Sequence, residues 1–127
     1  MSSFAINPLL GEAEAVVPGI GGGEDGTDIP LRLKLSNAEW VQAERALGGL
    51  SYLDIVSAML QAELAGRSVS LDYSRAVLWA ATRRNHPALS IDQCGDLVMQ
   101  HGDVVMRALG EAIRGSIRLK DASAGEA

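Results

Sequence analysis

The pattern of apolar and polar positions changes period once along the chain. Over residues 29–35 it alternates, with Ile29, Leu31, Leu33 and Leu35 on one side and Pro30, Arg32 and Lys34 on the other. Period-two spacing predicts a half-buried strand, and Pro30 near its start places that strand at an edge. Residues 12–17 alternate more weakly. Glu12, Glu14 and Val16 share one side, and Ala13, Ala15 and Val17 the other. Between the two runs, residues 18–28 hold five glycines and three acids, the composition of a solvated loop. The strands are expected to pair as a hairpin. A two-stranded ribbon is marginal alone, so its apolar face should rest on the helices.

From Ser36 onward the period is helical, and the same start signal recurs. Ser36 with Glu39 three residues on forms a capping box, and Leu35 and Trp40 have the spacing of a hydrophobic staple. The helix runs through Trp40, Ala43 and Leu47 to Gly48-Gly49, residues suited to ending it. Ser51 starts a second helix with Leu53, Val56, Leu60 and Leu64 as the expected inner stripe, widened by Ile55 and Met59; Gly66 ends it. Ser70 starts the third. Leu71, Leu78 and Ala81 share one face, Tyr73, Val77 and Ala80 the next, and Trp79 lies outside both. This helix is apolar nearly all round from 76 to 81, which predicts the central, most buried position. Arg83 and Arg84 fall in its expected last turn, where cations favour the carbonyl end, and Pro87 blocks continuation. Ser90 and Gln93 form another capping box before Ile91, Cys94, Leu97 and Val98. Gly102 is the expected terminator and Asp103 the cap of a fifth helix. That helix carries Val105, Met106, Leu109, Ala112 and Ile113 on one face. Asp103, Arg107, Glu111 and Arg114 should form its polar face, tied by i, i+4 pairs.

The expected fold is therefore mainly α: about five short helices in one domain with a small N-terminal β-hairpin. Residues 1–11 read as an arm, 12–35 as the hairpin, 36–115 as the helical part, and 116–127 as a polar, disordered tail.

Composition narrows the function. The chain has 127 residues, is 47% apolar but only 4% aromatic, and carries a net charge of −5. Low aromatic content means a core of aliphatic side chains on closely packed helices. The acidic balance argues against nucleic acid as a partner, because phosphate binding needs clustered Lys and Arg. One cysteine excludes an internal disulfide and suits a reducing compartment. No apolar run approaches the roughly 20 residues that span a bilayer, and the N-terminus has no signal-peptide pattern. A cytoplasmic protein with no membrane partner is expected.

Candidate chemistry is sparse. Gly21, Gly22 and Gly23 lack the Lys-Ser/Thr that completes a phosphate loop and stand beside Glu24 and Asp25. His86 precedes Pro87 in a turn, His101 sits at a helix end, and no Cys/His spacing supplies the roughly four ligands of zinc. Cys94 has the spacing of a core residue, and Asp92 and Asp96 read as a solvated helix face. No catalytic, cofactor or metal site is expected. Trp40 and Trp79 stand out instead, because aromatics are enriched at interface hot spots. Staple spacing favours Trp40 as core. Trp79 and Arg83, at i and i+4, are the candidate partner-facing patch.

The order of features resembles a known family. A strand reading Leu31-Arg32-Leu33-Lys34-Leu35 leads into a capped helix with Glu44 and a terminal Ala46-Leu47-Gly48. Then come Arg75-Ala76-Val77-Leu78-Trp79-Ala80-Ala81, His86-Pro87, and Leu89-Ser90-Ile91-Asp92-Gln93-Cys94-Gly95-Asp96-Leu97-Val98. Over residues 29–114 this is similar to the tail assembly chaperones of gene transfer agents and related siphophages. The chain departs from that pattern in its longer glycine-rich loop and in Ala81-Thr82, where the family often has Gly-Leu. The resemblance implies a non-enzymatic protein of the bacterial cytoplasm that binds the long tape-measure protein, keeps it soluble and recruits tail-tube subunits. Self-association is compatible with it. Partner-binding residues are then expected at Trp79, Arg83 and Trp40. The alternative is a structural tail-tube or tail-completion component, and a small regulatory helical module would need a basic face that the chain lacks.

Overall fold

A computed structural model gives the fold; it describes residues 12–18 and 28–125, with side chains at 12–14 and 30–116. Two strands precede five helices: β1 (Glu12–Pro18), β2 (Asp28–Lys34), α1 (Asn37–Ala46), α2 (Tyr52–Leu64), α3 (Leu71–Thr82), α4 (Ile91–Gln100) and α5 (Gly102–Gly125). The arm 1–11 and the glycine-rich stretch 19–27, including Gly21 to Gly23, lie outside the described residues.

The strands pair antiparallel with Ala13 opposite Leu33 and Glu14 opposite Arg32. That register puts Ala13, Leu31 and Leu33 on the buried face. On the other face it sets two cross-strand ion pairs, Arg32–Glu14 at 3.1 Å and Lys34–Glu12 at 3.3 Å. A slip by one residue would expose the leucines and bury the charges, so the pattern fixes the register. The ribbon is stabilised from outside, because α5 packs along β1 and α3 along β2.

The helix ends follow their local chemistry. Ser90 Oγ accepts from the Gln93 N–H at 3.1 Å while Gln93 Oε1 accepts from the Ser90 N–H at 2.8 Å, a complete capping box. Ser51 Oγ accepts from the Asp54 N–H at 3.2 Å. Glu39 accepts the Ser36 N–H at 2.8 Å and the Ser36 hydroxyl. Ser70 occupies the N-cap of α3 but makes no side-chain cap bond. Helices α1 and α2 both end in Schellman motifs. Gly49 N–H reaches Glu44 O at 2.8 Å, and Arg67 N–H reaches Ala62 O at 2.8 Å. Gly48 and Gly66 adopt φ of 73° and 69° there, a conformation that favours glycine.

Helix α3 is the central element, as its all-round apolarity predicts. Ala76, Val77, Leu78, Ala80 and Ala81 are all buried, and it touches α1, α4, β2 and α5. Two polar residues, Ser74 and Thr82, are buried with them. Thr82 stays satisfied by donating its hydroxyl to Trp79 O at 2.7 Å.

Four sequence expectations are corrected. The buried face of α2 is Ile55, Val56 and Met59, while Leu53, Leu60 and Leu64 are exposed. Helix α2 packs chiefly on α1, so its apolar residues outnumber its neighbours. Arg83 and Arg84 lie past the end of α3, which closes at Thr82. Gly102 is the first residue of α5 rather than a terminator between helices, and α4 passes to α5 through His101 alone. Helix α5 also continues past Gly115 to Gly125. Gly115 is helical and buried, and a glycine in the right-handed conformation lowers helix propensity without stopping the helix.

Candidate functional site

Two places concentrate unusual side-chain arrangements. The first is the turn after α3. Four consecutive residues, Arg83 to His86, each bond groups outside their own short segment. The Arg83 guanidinium donates to Trp79 O at 3.0 Å, Pro87 O at 2.8 Å and His86 O at 3.2 Å, and also to Leu89 O. These carbonyls lie at the helix end and the Pro87 turn, where the regular helical ladder has stopped; that of His86 also accepts the Leu89 N–H at 3.1 Å. Arg84 crosses to α1 and pairs at 3.3 Å with Glu39, a carboxylate almost fully buried in the α1 cap. His86 Nε2 accepts the backbone N–H of Arg32 at 3.0 Å, and Asn85 Nδ2 donates to the Arg32 carbonyl at 3.5 Å. Arg32 therefore turns these groups away from β1, and the Asn85-His86 side chains stand in for a third strand along the outer edge of β2.

This geometry fixes the state of His86. Burial, with Arg32 and Arg83 nearby, holds its pKa below the ordinary histidine value. A neutral ring with its proton on Nδ1 matches the accepting role of Nε2. Burial also lowers the Arg83 pKa. Cys94 lies beneath the same turn, fully buried, 4.0 Å from Thr82 Oγ1. Burial pushes its thiol up to about 11, so it is not poised as a nucleophile.

The three partner-binding candidates separate here. Trp40 is 5% exposed, stacks edge-on to Tyr52 with centroids 4.6 Å apart and donates Nε1–H to Ser116 Oγ at 2.7 Å. It is a core anchor joining α1, α2 and α5. Trp79 is half-buried, with the Arg83 guanidinium 4.6 Å from its ring centroid. The two do meet as their spacing suggests, but the donors of Arg83 are taken by the turn. The structure does not bring Trp40 together with this pair.

The second place is a groove of about 610 Å³ between α2 and the first half of α5. Its apolar surface comes from Met59 and Leu60 of α2, Val98 of α4, and Met106, Leu109 and Ile113 of α5. Positions 106, 109 and 113 share one stripe of α5 at helical spacing, and 103, 107, 110 and 114 form the adjoining stripe. Charged residues occupy the rim: Glu63 and Arg67 on the α2 side, Asp103, Arg107 and Arg114 on α5. Arg114 reaches across to Glu63 at 3.8 Å. Among the described residues, the expected ion pairs between Asp103, Arg107, Glu111 and Arg114 do not form. Gly110 keeps that wall low, since an added Cβ there would meet only the flexible tip of Arg114 at 3.4 Å.

The apolar surface continues outside the groove. Leu60 lies on its edge at 38% exposure, and Leu53 and Leu64, on the same stripe of α2, are 66% and 87% exposed. The sequence carried one sign of this: α2 has more apolar positions than one buried face requires. Among the described residues, no group of His, Cys, Asp and Glu is arranged to hold a metal ion, and no helix is long and apolar enough to cross a membrane. No protein-family model, curated protein or solved structure matches the chain.

Proposed function

We propose that this protein is a tail assembly chaperone of the gene-transfer-agent and siphophage type. In this role it acts without catalysis in the bacterial cytoplasm and holds amphipathic segments of the tape-measure protein until tube subunits replace it. The observation that carries the reading is the α2–α5 groove with its adjoining row of exposed leucines. An apolar groove between two helices suits helix-in-groove recognition, in which a partner lays one apolar ridge against the floor. Two methionines, Met59 and Met106, line it, and such side chains adapt to ridges of differing shape. That suits a partner whose long sequence presents many different helical segments. The net charge of −5 favours solubility of the complex. The resemblance over residues 29–114 supplies the identity of the partner. A structural tube role fits less well, because ring stacking calls for extended sheet and the described residues contain one two-stranded ribbon.

Co-expression with the tape-measure protein of the same gene cluster tests the proposal. The expected result is a soluble partner that co-purifies with this chain, and loss of both effects with Leu60→Glu. An insoluble partner with nothing co-purifying would overturn it. Stoichiometric recovery of the chain in finished particles would favour the structural alternative.

A further inference from the structure

We infer that the α2–α5 groove selects amphipathic helices whose apolar ridge is flanked by acidic side chains. The inference rests on the groove being a helix-binding site, as proposed above, and adds the chemistry of the segment that it takes.

Charge on the rim carries the argument. The chain as a whole has 16 acidic and 11 basic residues, yet the groove mouth has three arginines against Glu63 and Asp103. Arg67 and Arg107 are exposed and, among the described residues, make no ion pair. Among the described residues Arg114 pairs with Glu63 alone, at 3.8 Å with both side chains about half exposed or more, a pair that an incoming carboxylate can displace. Asp103 sits in the first turn of α5, where the helix dipole already favours a negative charge. The available charge facing a bound segment is therefore positive.

The spacing is also ordered. Arg107 and Arg114 lie seven residues apart on one stripe of α5, about 10 Å along the axis. That matches acids two turns apart on a helix lying along α5. Arg67, on the α2 side, faces the opposite flank of such a segment. The repulsive field of the acidic chain does not cancel this preference, because exposed charges are screened beyond about 8 Å at physiological ionic strength.

The test uses two labelled synthetic peptides of about 18 residues, long enough to span roughly 27 Å as helices. They share one leucine ridge and differ only in carrying Glu or Lys at the flanking positions. Binding to the full-length protein is read by fluorescence anisotropy. The Glu peptide is expected to bind about tenfold more tightly than the Lys peptide, with the gap closing at high salt. The double variant Arg67→Glu with Arg107→Glu should reverse the order, and Arg67→Gln with Arg107→Gln should abolish it. Both positions are exposed, and circular dichroism checks that the fold persists. Equal binding of the two peptides, or a preference unmoved by charge reversal, overturns the acidic selectivity. Binding of neither peptide overturns the groove as a helix site, as does occlusion of the groove by a second copy of the chain, seen as a stable dimer by sedimentation. If the Glu peptide binds as expected while co-expressed tape-measure protein remains insoluble, the selectivity stands and the chaperone role fails.

Discussion

Replacing Arg83 by alanine should destabilise the fold far more than an ordinary half-exposed substitution. The guanidinium donates to the carbonyls of Trp79, His86, Pro87 and Leu89 and to Thr82 Oγ1. It also lies over the Trp79 ring. A hydrogen bond from a charged donor contributes about 1.5–3 kcal/mol when shielded, but here water replaces part of what is lost, and the bonds share one side chain. The cation–π contact adds about 0.5–1 kcal/mol at such exposure. A net loss of roughly 2–3 kcal/mol follows, which for a domain of this size lowers Tm by about 6–15 °C. The urea midpoint should fall by about 1–2 M at ordinary m-values. Lysine is the informative control. It keeps the charge but lacks the planar fork that reaches several acceptors at once, so Arg83→Lys should recover less than half of the loss. Thermal and urea unfolding followed by circular dichroism measure both variants. If Arg83→Ala melts within about 1 °C of the parent, or Arg83→Lys matches it, the turn is not held by this side chain and Arg83 is free to serve a partner.

Three further outcomes follow from the same region. Because the folded pKa of His86 lies below its unfolded value of about 6.5, the unfolded chain takes up the proton first. The contribution of His86 is whole above that pH and declines as pH falls below it; His86→Gln, which still offers an acceptor to the Arg32 N–H, should flatten this part of a urea-midpoint profile. Gly95 is buried inside α4, and a Cβ there would meet Arg75 Cδ at an ordinary 3.5 Å. Gly95→Ala should therefore raise stability by about 0.5–1 kcal/mol through helix propensity, and a lower Tm would show hidden crowding. Cys94, with its thiol near 11, is about one part in a thousand thiolate at pH 8. Labelling by a thiol reagent should track unfolding; complete reaction while the helical signal is intact would contradict its burial.

The sequence was most informative where local chemistry decides the outcome. Alternation from Ile29 to Leu35 and the serine caps at 36, 51 and 90 concern residues only a few positions apart, and their signals survive into the fold. It was least informative where an element's neighbours decide. Leu53, Leu60 and Leu64 are spaced as well for burial as Ile55, Val56 and Met59, and only the packing of α2 on α1 selects between the two sets. The 83–86 run was legible as a charged, Pro-stopped turn. Its bonds to β2 and to the α1 cap span separations of about 45 residues or more, which no periodicity encodes. The groove was hidden for the same reason, since it exists between α2 and α5 rather than within either.

The two places differ in how far folding accounts for them. Around the 83–86 turn, polar side chains are matched to acceptors and donors on three other elements, so the requirements of folding already account for each residue. Along α2 they do not. Exposed leucines at 53, 60 and 64 add little to the folded state, and polar residues there would serve solubility better. The excess apolar surface also adjoins the groove through Leu60, where the loosely packed helix stands beside a rim rich in arginine. A residue that folding does not explain, next to a cavity that folding has not filled, is most economically explained by something that binds there. On that reasoning Leu64→Gln, at 87% exposure, should leave the unfolding free energy from urea titration unchanged within about 0.5 kcal/mol while weakening capture of an amphipathic helix.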